Sequence, residues 1–213
     1  MPTHARDRLV RAAEQLFFAE GVRAVGVERL LTESGVGRAS FYRHFASKDD
    51  LIVTVLRNYD EAFRGRLRDA VRARGDDPLA VFDALAERFA SDEFRGCAAI
   101  NTMVEVADPG SRAYQVAAES KQSVIDYLDQ LLATAGHPEH ATLARQFMLL
   151  IDGALVTALR ERTAAPAPRA RAIAAALLAQ SAPPEPGQSE PAQSEPAQSE
   201  PDQSLAGASP SVS

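Results

Sequence analysis

The stretch GVGRASFYRHFASKDDL, residues 35–51, decides how this chain is read. It gathers Arg38, Arg43, His44 and Lys48 around Phe41, Tyr42 and Phe45, in a protein whose formal net charge is −6. Upstream, Val27, Leu30 and Leu31 mark a short helix that Gly35 ends. Glycine permits the positive φ of a tight turn there, and Val36 supplies an apolar plug between two short helices, the pattern of a helix-turn-helix. The spacing predicts a helix from Arg38 to about Phe45, with Phe41 and Phe45 sharing the face that packs on Leu16 and Phe17. Arg38, Ser40 and Tyr42 then point to solvent. An exposed tyrosine beside an arginine suits phosphate, sugar and base contact, whereas the alternative makes Tyr42 a core ring with a wet tip.

Ser47 with Asp50 three residues later forms a capping box that opens a long helix to about Arg74. Lys48 falls in its first turn, where the macrodipole disfavours a cation. Only one other lysine, Lys121, occurs in the chain, so a general preference for lysine did not place it there. Beside helix-end amides, a flexible point charge can clamp phosphate; the alternative is a solvated surface lysine.

Working outward, every other segment up to residue 180 reads as helix. Leu9, Ala13, Leu16 and Phe17 give a first amphipathic helix stopped at Gly21. Asp77-Pro78 caps and opens another, to about Ala90. Further helices are expected over 97–107, 111–135, 138–162 and 169–179. No useful period-two alternation occurs, so the predicted fold is all-α: an N-terminal three-helix helix-turn-helix domain (1–47) and a helical effector-binding and dimerisation domain (48–180, with 48–74 the connecting helix). From Glu185 the chain repeats EPGQS, EPAQS, EPAQS, EPDQS. A period of five with recurrent proline and little to bury predicts a disordered tail over 181–213.

Glu185, Glu190, Glu195, Glu200 and Asp202 of that tail account for five of the six net negative charges, so the body can carry a basic patch. The N-terminus lacks the apolar centre of a signal peptide and no run reaches membrane-span length, which places the protein in the cytoplasm with no membrane partner. One cysteine, Cys97, excludes an internal disulfide. His137 and His140 have no third ligand at suitable spacing, so no metal site and no cofactor are expected.

The run from Arg8 to Leu56 resembles the DNA-binding domain of TetR-type transcriptional regulators: the Ala-Ala-x-x-Leu-Phe of its first helix, Gly21, the Glu-Ser-Gly-Val turn, Tyr42-x-His44-Phe45 and Ser47-Lys48-x-x-Leu51 all match. The resemblance implies a homodimer whose third helices enter successive major grooves of double-stranded DNA. It implies that Arg38 and Ser40 meet bases or nearby phosphates, that Tyr42 and His44 meet the backbone, and that Lys48 meets phosphate; Ala39 and Arg43 complete the candidate face. Gly26 and Gly37 depart from the Ser or Thr common in the family, leaving only backbone N–H groups for phosphate there.

The segments RGCAAINTMVEVADPGSRAYQ and ARQFMLLIDGALVTAL resemble one branch of TetR-type C-terminal domains, which implies a fold and no ligand. FMLLIDGALVTAL is apolar around nearly its whole circumference, predicting a helix buried on all sides at a dimer interface, with Gly153 allowing close approach. Asp152 within it needs a partner, either in the protein or in an effector that is cationic or hydroxyl-bearing. Cys97, Asn101, Met103, Tyr114, Phe147 and Asp152 are the ligand-pocket candidates, and each is alternatively an ordinary core residue. The function expected is a ligand-responsive dimeric repressor released from its operator by a small molecule. An activator on the same fold, a small-molecule enzyme using Cys97 or Asp152, and a helical adaptor without DNA binding are the alternatives; no catalytic constellation supports the enzyme.

Overall fold

The computed structural model describes residues 3–92 and 94–181, which form nine helices and no strand among the described residues. In chain order these are α1 (Thr3–Glu20), α2 (Val27–Ser34), α3 (Arg38–His44), α4 (Lys48–Arg72), α5 (Ala80–Phe89), α6 (Ala98–Val106), α7 (Arg112–Thr134), α8 (His140–Glu161) and α9 (Pro166–Ser181). The disorder expected over 181–213 concerns positions that, beyond Ser181, lie outside the described residues.

Local chemistry sets the helix ends. Gly35 sits at φ 60°, the left-handed conformation that closes α2, and its N–H reaches the carbonyls of Leu31 and Thr32. Ser34 is buried, its hydroxyl donating to Leu30 O at 2.6 Å, and Val36 plugs the turn at 5% exposure. Ser47 caps α4 by accepting from Asp50 N, while Asp50 Oδ2 accepts from Ala46 N rather than from Ser47 N, a capping box shifted by one residue. Ser111 caps α7 in the same way through Tyr114 N.

Three starts differ by two or three residues from the sequence reading, α8 beginning at His140 after a turn at Pro138-Glu139. Asp77 Oδ1 accepts from Leu79 N, so Asp77-Pro78 forms a turn ahead of α5 instead of its first helical residues. α9 begins at Pro166, three residues early, because prolines are tolerated in a first helical turn.

The helices pack around two clusters of buried side chains. One joins Leu9, Phe17, Leu30, Phe41 and Phe45 of α1–α3 to Leu51, Val55 and Leu56 of α4 and to Ala113 and Ala117 of α7. The other joins Leu67 and Val71 at the far end of α4 to α5, α7, α8 and α9, with Phe82 and Phe147 in ring contact at its centre. α4 therefore belongs to both. Its 25 residues span about 37 Å at the α-helical rise.

The burial expected of α8 on all sides is at a dimer interface, with a second copy of the chain as one wall. α8 is long and apolar enough to cross a membrane by length and composition, with a mean hydropathy of 1.4. Within one chain, Leu143, Phe147, Ile151 and Leu155 face the core, while Leu149 is 74% and Val156 57% exposed, with Gly153 between them on the same face. The helix is amphipathic in burial though not in composition.

Candidate DNA-binding face and ligand cavity

α3 is held by its apolar side and offers the other. Phe41 is fully buried and Phe45 nearly so, both within the cluster that contains Leu16 and Phe17, the packing expected from their spacing. Arg38, Ala39, Tyr42 and Arg43 are exposed, and Ser40 and His44 half-buried. Tyr42, 51% exposed, stands edge-on to Phe41, so it is no core ring. Arg43 Nη2 donates to Ser40 Oγ at 3.0 Å, which pre-sets both side chains on one face. Arg38 pairs with Glu28 of α2, and His44 Nε2 is buried with no partner.

Lys48 departs from the flexible point charge expected. Its ammonium donates to Val22 O at 2.9 Å and Val25 O at 3.0 Å, tying the α1–α2 loop to the start of α4. Two of its three N–H groups are thus used inside the fold, and one is left for phosphate. Sequence reasoning missed Arg6 and Arg8 of α1: Arg6 lies over the Phe45 ring at 5.5 Å, and Arg8 Nη1 lies close to Gly35 in the turn. Arg6 stands three and seven residues before Leu9 and Ala13, on the edge of their face, and Arg8 lies off it; neither position pointed to a particular neighbour.

The second site lies between the two clusters. A cleft of about 920 Å³ runs from Phe17, Phe18 and Gly21 past Tyr59 and Phe63 of α4 to Arg88 of α5 and to Asn101 and Glu105 of α6. A recess of about 60 Å³ continues from Tyr59, Phe63 and Arg88 into the core beside Cys97, Met148, Ile151 and Leu155. Cys97 and Asn101 line this space, as expected, with Asn101 Nδ2 donating to Arg95 O.

The other four candidates do not line it. Met103 packs, half-buried, against the N-terminal cluster, and Tyr114 lies half-buried in the first turn of α7. Phe147 is fully buried, its ring against Phe82 at 5.5 Å, so it is core. Asp152 is paired with Lys121 of α7, which answers the question of its partner internally and removes the reason for a cationic effector.

The residues that dominate the cavity were not singled out in the sequence. Arg88 lies over the rings of Phe63 (5.1 Å), Tyr59 (5.6 Å) and Phe94 (6.0 Å), donating from Nη2 to Tyr59 Oη and to Gly96 O. Tyr59 also stacks on Phe18 of α1 with ring centroids 4.7 Å apart. At the other rim, Glu105 Oε2 accepts from Arg23 N at 2.9 Å. Gly21, at φ 91°, makes room for that carboxylate: a Cβ there would meet Oε2 at 2.6 Å. The spacing of Leu56, Tyr59 and Phe63 did mark one inner face of α4, but it carried no information that Arg88 would reach it.

Residues 9–55 match the model of the bacterial regulatory proteins of the tetR family. The solved structure of SCO4454, a TetR-family transcriptional regulator from Streptomyces coelicolor, is 30% identical over 84% of this chain and 96% of its own, with a TM-score of 0.76. The chain belongs to the TetR family. Among curated relatives of this TetR-family protein, the HTH-type transcriptional regulator TcmR of Streptomyces glaucescens is 37% identical over 43% of this chain and 41% of its own length. The HTH-type transcriptional repressor NemR of Escherichia coli K12 is 26% identical over 60% of this chain and 66% of its own. The chain thus spans about two fifths of the length of TcmR and about two thirds of that of NemR. The TetR-family assignment agrees with the helix-turn-helix built by α2 and α3, and it leaves the effector open.

Proposed function

We propose that this protein is a homodimeric, ligand-responsive transcriptional repressor that reads its operator with α3 and is released by a small molecule in the cavity along α4. It acts in the cytoplasm by binding, with no catalytic step. Residues 1–47 form the DNA-binding head, and residues 48–180 the effector and dimerisation part, with 48–74 as the connecting helix. The observation that carries this reading is the continuity of α4: Lys48 opens it beside α3, and Tyr59 and Phe63, about 16–22 Å further along at the α-helical rise, line the cavity.

On the DNA side, Arg38 and Ser40 meet base edges or adjacent phosphates, and Tyr42, Arg43, His44 and Lys48 meet the backbone, with Ala39 allowing close approach. Dimerisation uses the exposed apolar side chains Leu149, Val156 and Leu159 of α8 and Ile173 of α9, whose burial against a second copy removes apolar surface from water. NemR bears the name of a repressor, which favours repression over activation. Gel shifts on promoter fragments flanking the protein's own gene test the reading. Retardation of one fragment well before random DNA, by a species of twice the chain mass in light scattering, is expected. Equal affinity for every fragment overturns it.

A further inference from the structure

We infer that the cavity takes an anionic effector, a carboxylate on an apolar body, with Arg88 and Tyr59 holding the charged end. This rests on the cavity being the effector site. Arg88 lies where cleft and recess meet, since it lines both. It is half-buried. Three aromatic rings face it in place of a carboxylate.

Most acids around the cavity are engaged elsewhere: Asp60 with Arg64 and Ser120, Glu87 with Arg74, Glu20 with Arg29, and Glu105 with the Arg23 N–H, while Glu14 lines the cleft from α1. Lys121, the other cation lining the recess, is neutralised by Asp152. Arg66 and Arg95 also line the cleft with no acidic partner among the described residues, but of these three arginines Arg88 alone lines the recess as well.

Its donors remain available. Nη2 serves Tyr59 Oη and Gly96 O, which leaves the N–H groups at Nε and Nη1. Because Tyr59 Oη accepts from Arg88, its own O–H is free to donate. A carboxylate seated there receives charge-assisted bonds in a partly desolvated site, where they are strongest. Beyond Arg88 the recess is walled by Val81, Val124, Met148, Ile151 and Leu155, which suits a short alkyl or aryl group and offers no second anion site.

Calorimetry on the full-length protein tests this with matched probes: 4-propylbenzoate, its neutral amide 4-propylbenzamide and its cationic counterpart 4-propylbenzamidine. The carboxylate is expected to bind at least tenfold more tightly than either. Arg88→Met should cost that binding tenfold or more, and Tyr59→Phe, which keeps the ring and the packing, should cost it three- to tenfold. Equal binding of amide or amidine, no binding of the carboxylate, or full binding by Tyr59→Phe and Arg88→Met overturns the inference. If Arg88→Met does not fold, the wild-type comparison and Tyr59→Phe decide. Operator gel shifts with 4-propylbenzoate separate the two claims: carboxylate binding through Arg88 without release from DNA overturns the effector role and leaves the anion site standing.

Discussion

At the scale of single residues, Arg38 and Lys48 look alike in sequence and differ in structure. Arg38 is exposed and pairs with Glu28, itself 72% exposed at its side chain, an ion pair worth well under about 1 kcal/mol that DNA can exchange for its own charge. Lys48 closes two backbone carbonyls and is part of the fold. Arg38→Ala should therefore leave the melting temperature unchanged and, if it reads a base edge, relax preference at one position of each half-site at a cost of about 1–3 kcal/mol. Lys48→Ala should lower the melting temperature, by the equivalent of about 1–2 kcal/mol for two lost hydrogen bonds, and weaken all DNA sequences alike. Differential scanning calorimetry beside operator and random-DNA titrations checks both. Glu28→Gln complements them: removing an acid from the face should tighten DNA binding a few-fold at low salt, and the gain should fade as salt rises. The sequence made Arg38 and Tyr42 legible because the turn glycine and the Phe41–Phe45 spacing oriented α3. It left Lys48 half-read, since the carbonyls of Val22 and Val25 belong to a loop whose path no local pattern specifies.

At the scale of elements, helix identity was legible almost throughout, because caps and periodicity are local. What burial each face receives was not. FMLLIDGALVTAL contains one acid and reads as wholly buried, yet only the Phe147–Ile151–Leu155 side meets α7 and the core. The Leu149–Gly153–Val156 side faces outward, where the function proposed above places a second copy. Asp152 lies at the border and is fixed by Lys121, whose side chain is 17% exposed against 35% for the acid. Asp152→Asn should cost about 1–3 kcal/mol, because it strands a largely desolvated ammonium, and it should leave the response to an effector proportional to stability. A variant that keeps its melting temperature and loses ligand-driven release would contradict that pairing. Leu149→Glu makes the complementary test. Its side chain touches little within the chain, so each protomer should stay folded by circular dichroism while light scattering reports the monomer. Operator affinity should then fall by about 10²-fold or more, since each half-site is bound without its partner.

At the scale of the whole molecule, function depends on whether the cavity and α3 share one two-state element. Besides α4 and the apolar packing of α6 and α7 on the N-terminal cluster, two specific contacts join them. Tyr59, which holds Arg88, stacks on Phe18 of α1, and Glu105 of α6 grips the Arg23 N–H beside Gly21. Neither was readable in the sequence, because each joins residues more than forty positions apart whose individual types are unremarkable. A ligand that draws Tyr59 or displaces α6 must move the α1–α2 loop, and Lys48 fastens that same loop to the helix that follows α3. Glu105→Ala removes the α6 contact without touching Arg88, α3 or the dimer face. Operator affinity without ligand should stay within about threefold, and 4-propylbenzoate should bind as it does to wild type, but the factor by which it weakens operator binding should shrink several-fold from the 5–150-fold usual for such coupling. Linkage supplies an internal check: whatever factor ligand imposes on operator binding, operator must impose on ligand binding. Titrating each in the presence of the other, for wild type and Glu105→Ala, measures the factor twice. An unchanged factor in the variant would take the Glu105 contact out of the coupling and leave it to α4, the Phe18–Tyr59 contact and the packing of α7 on the N-terminal cluster.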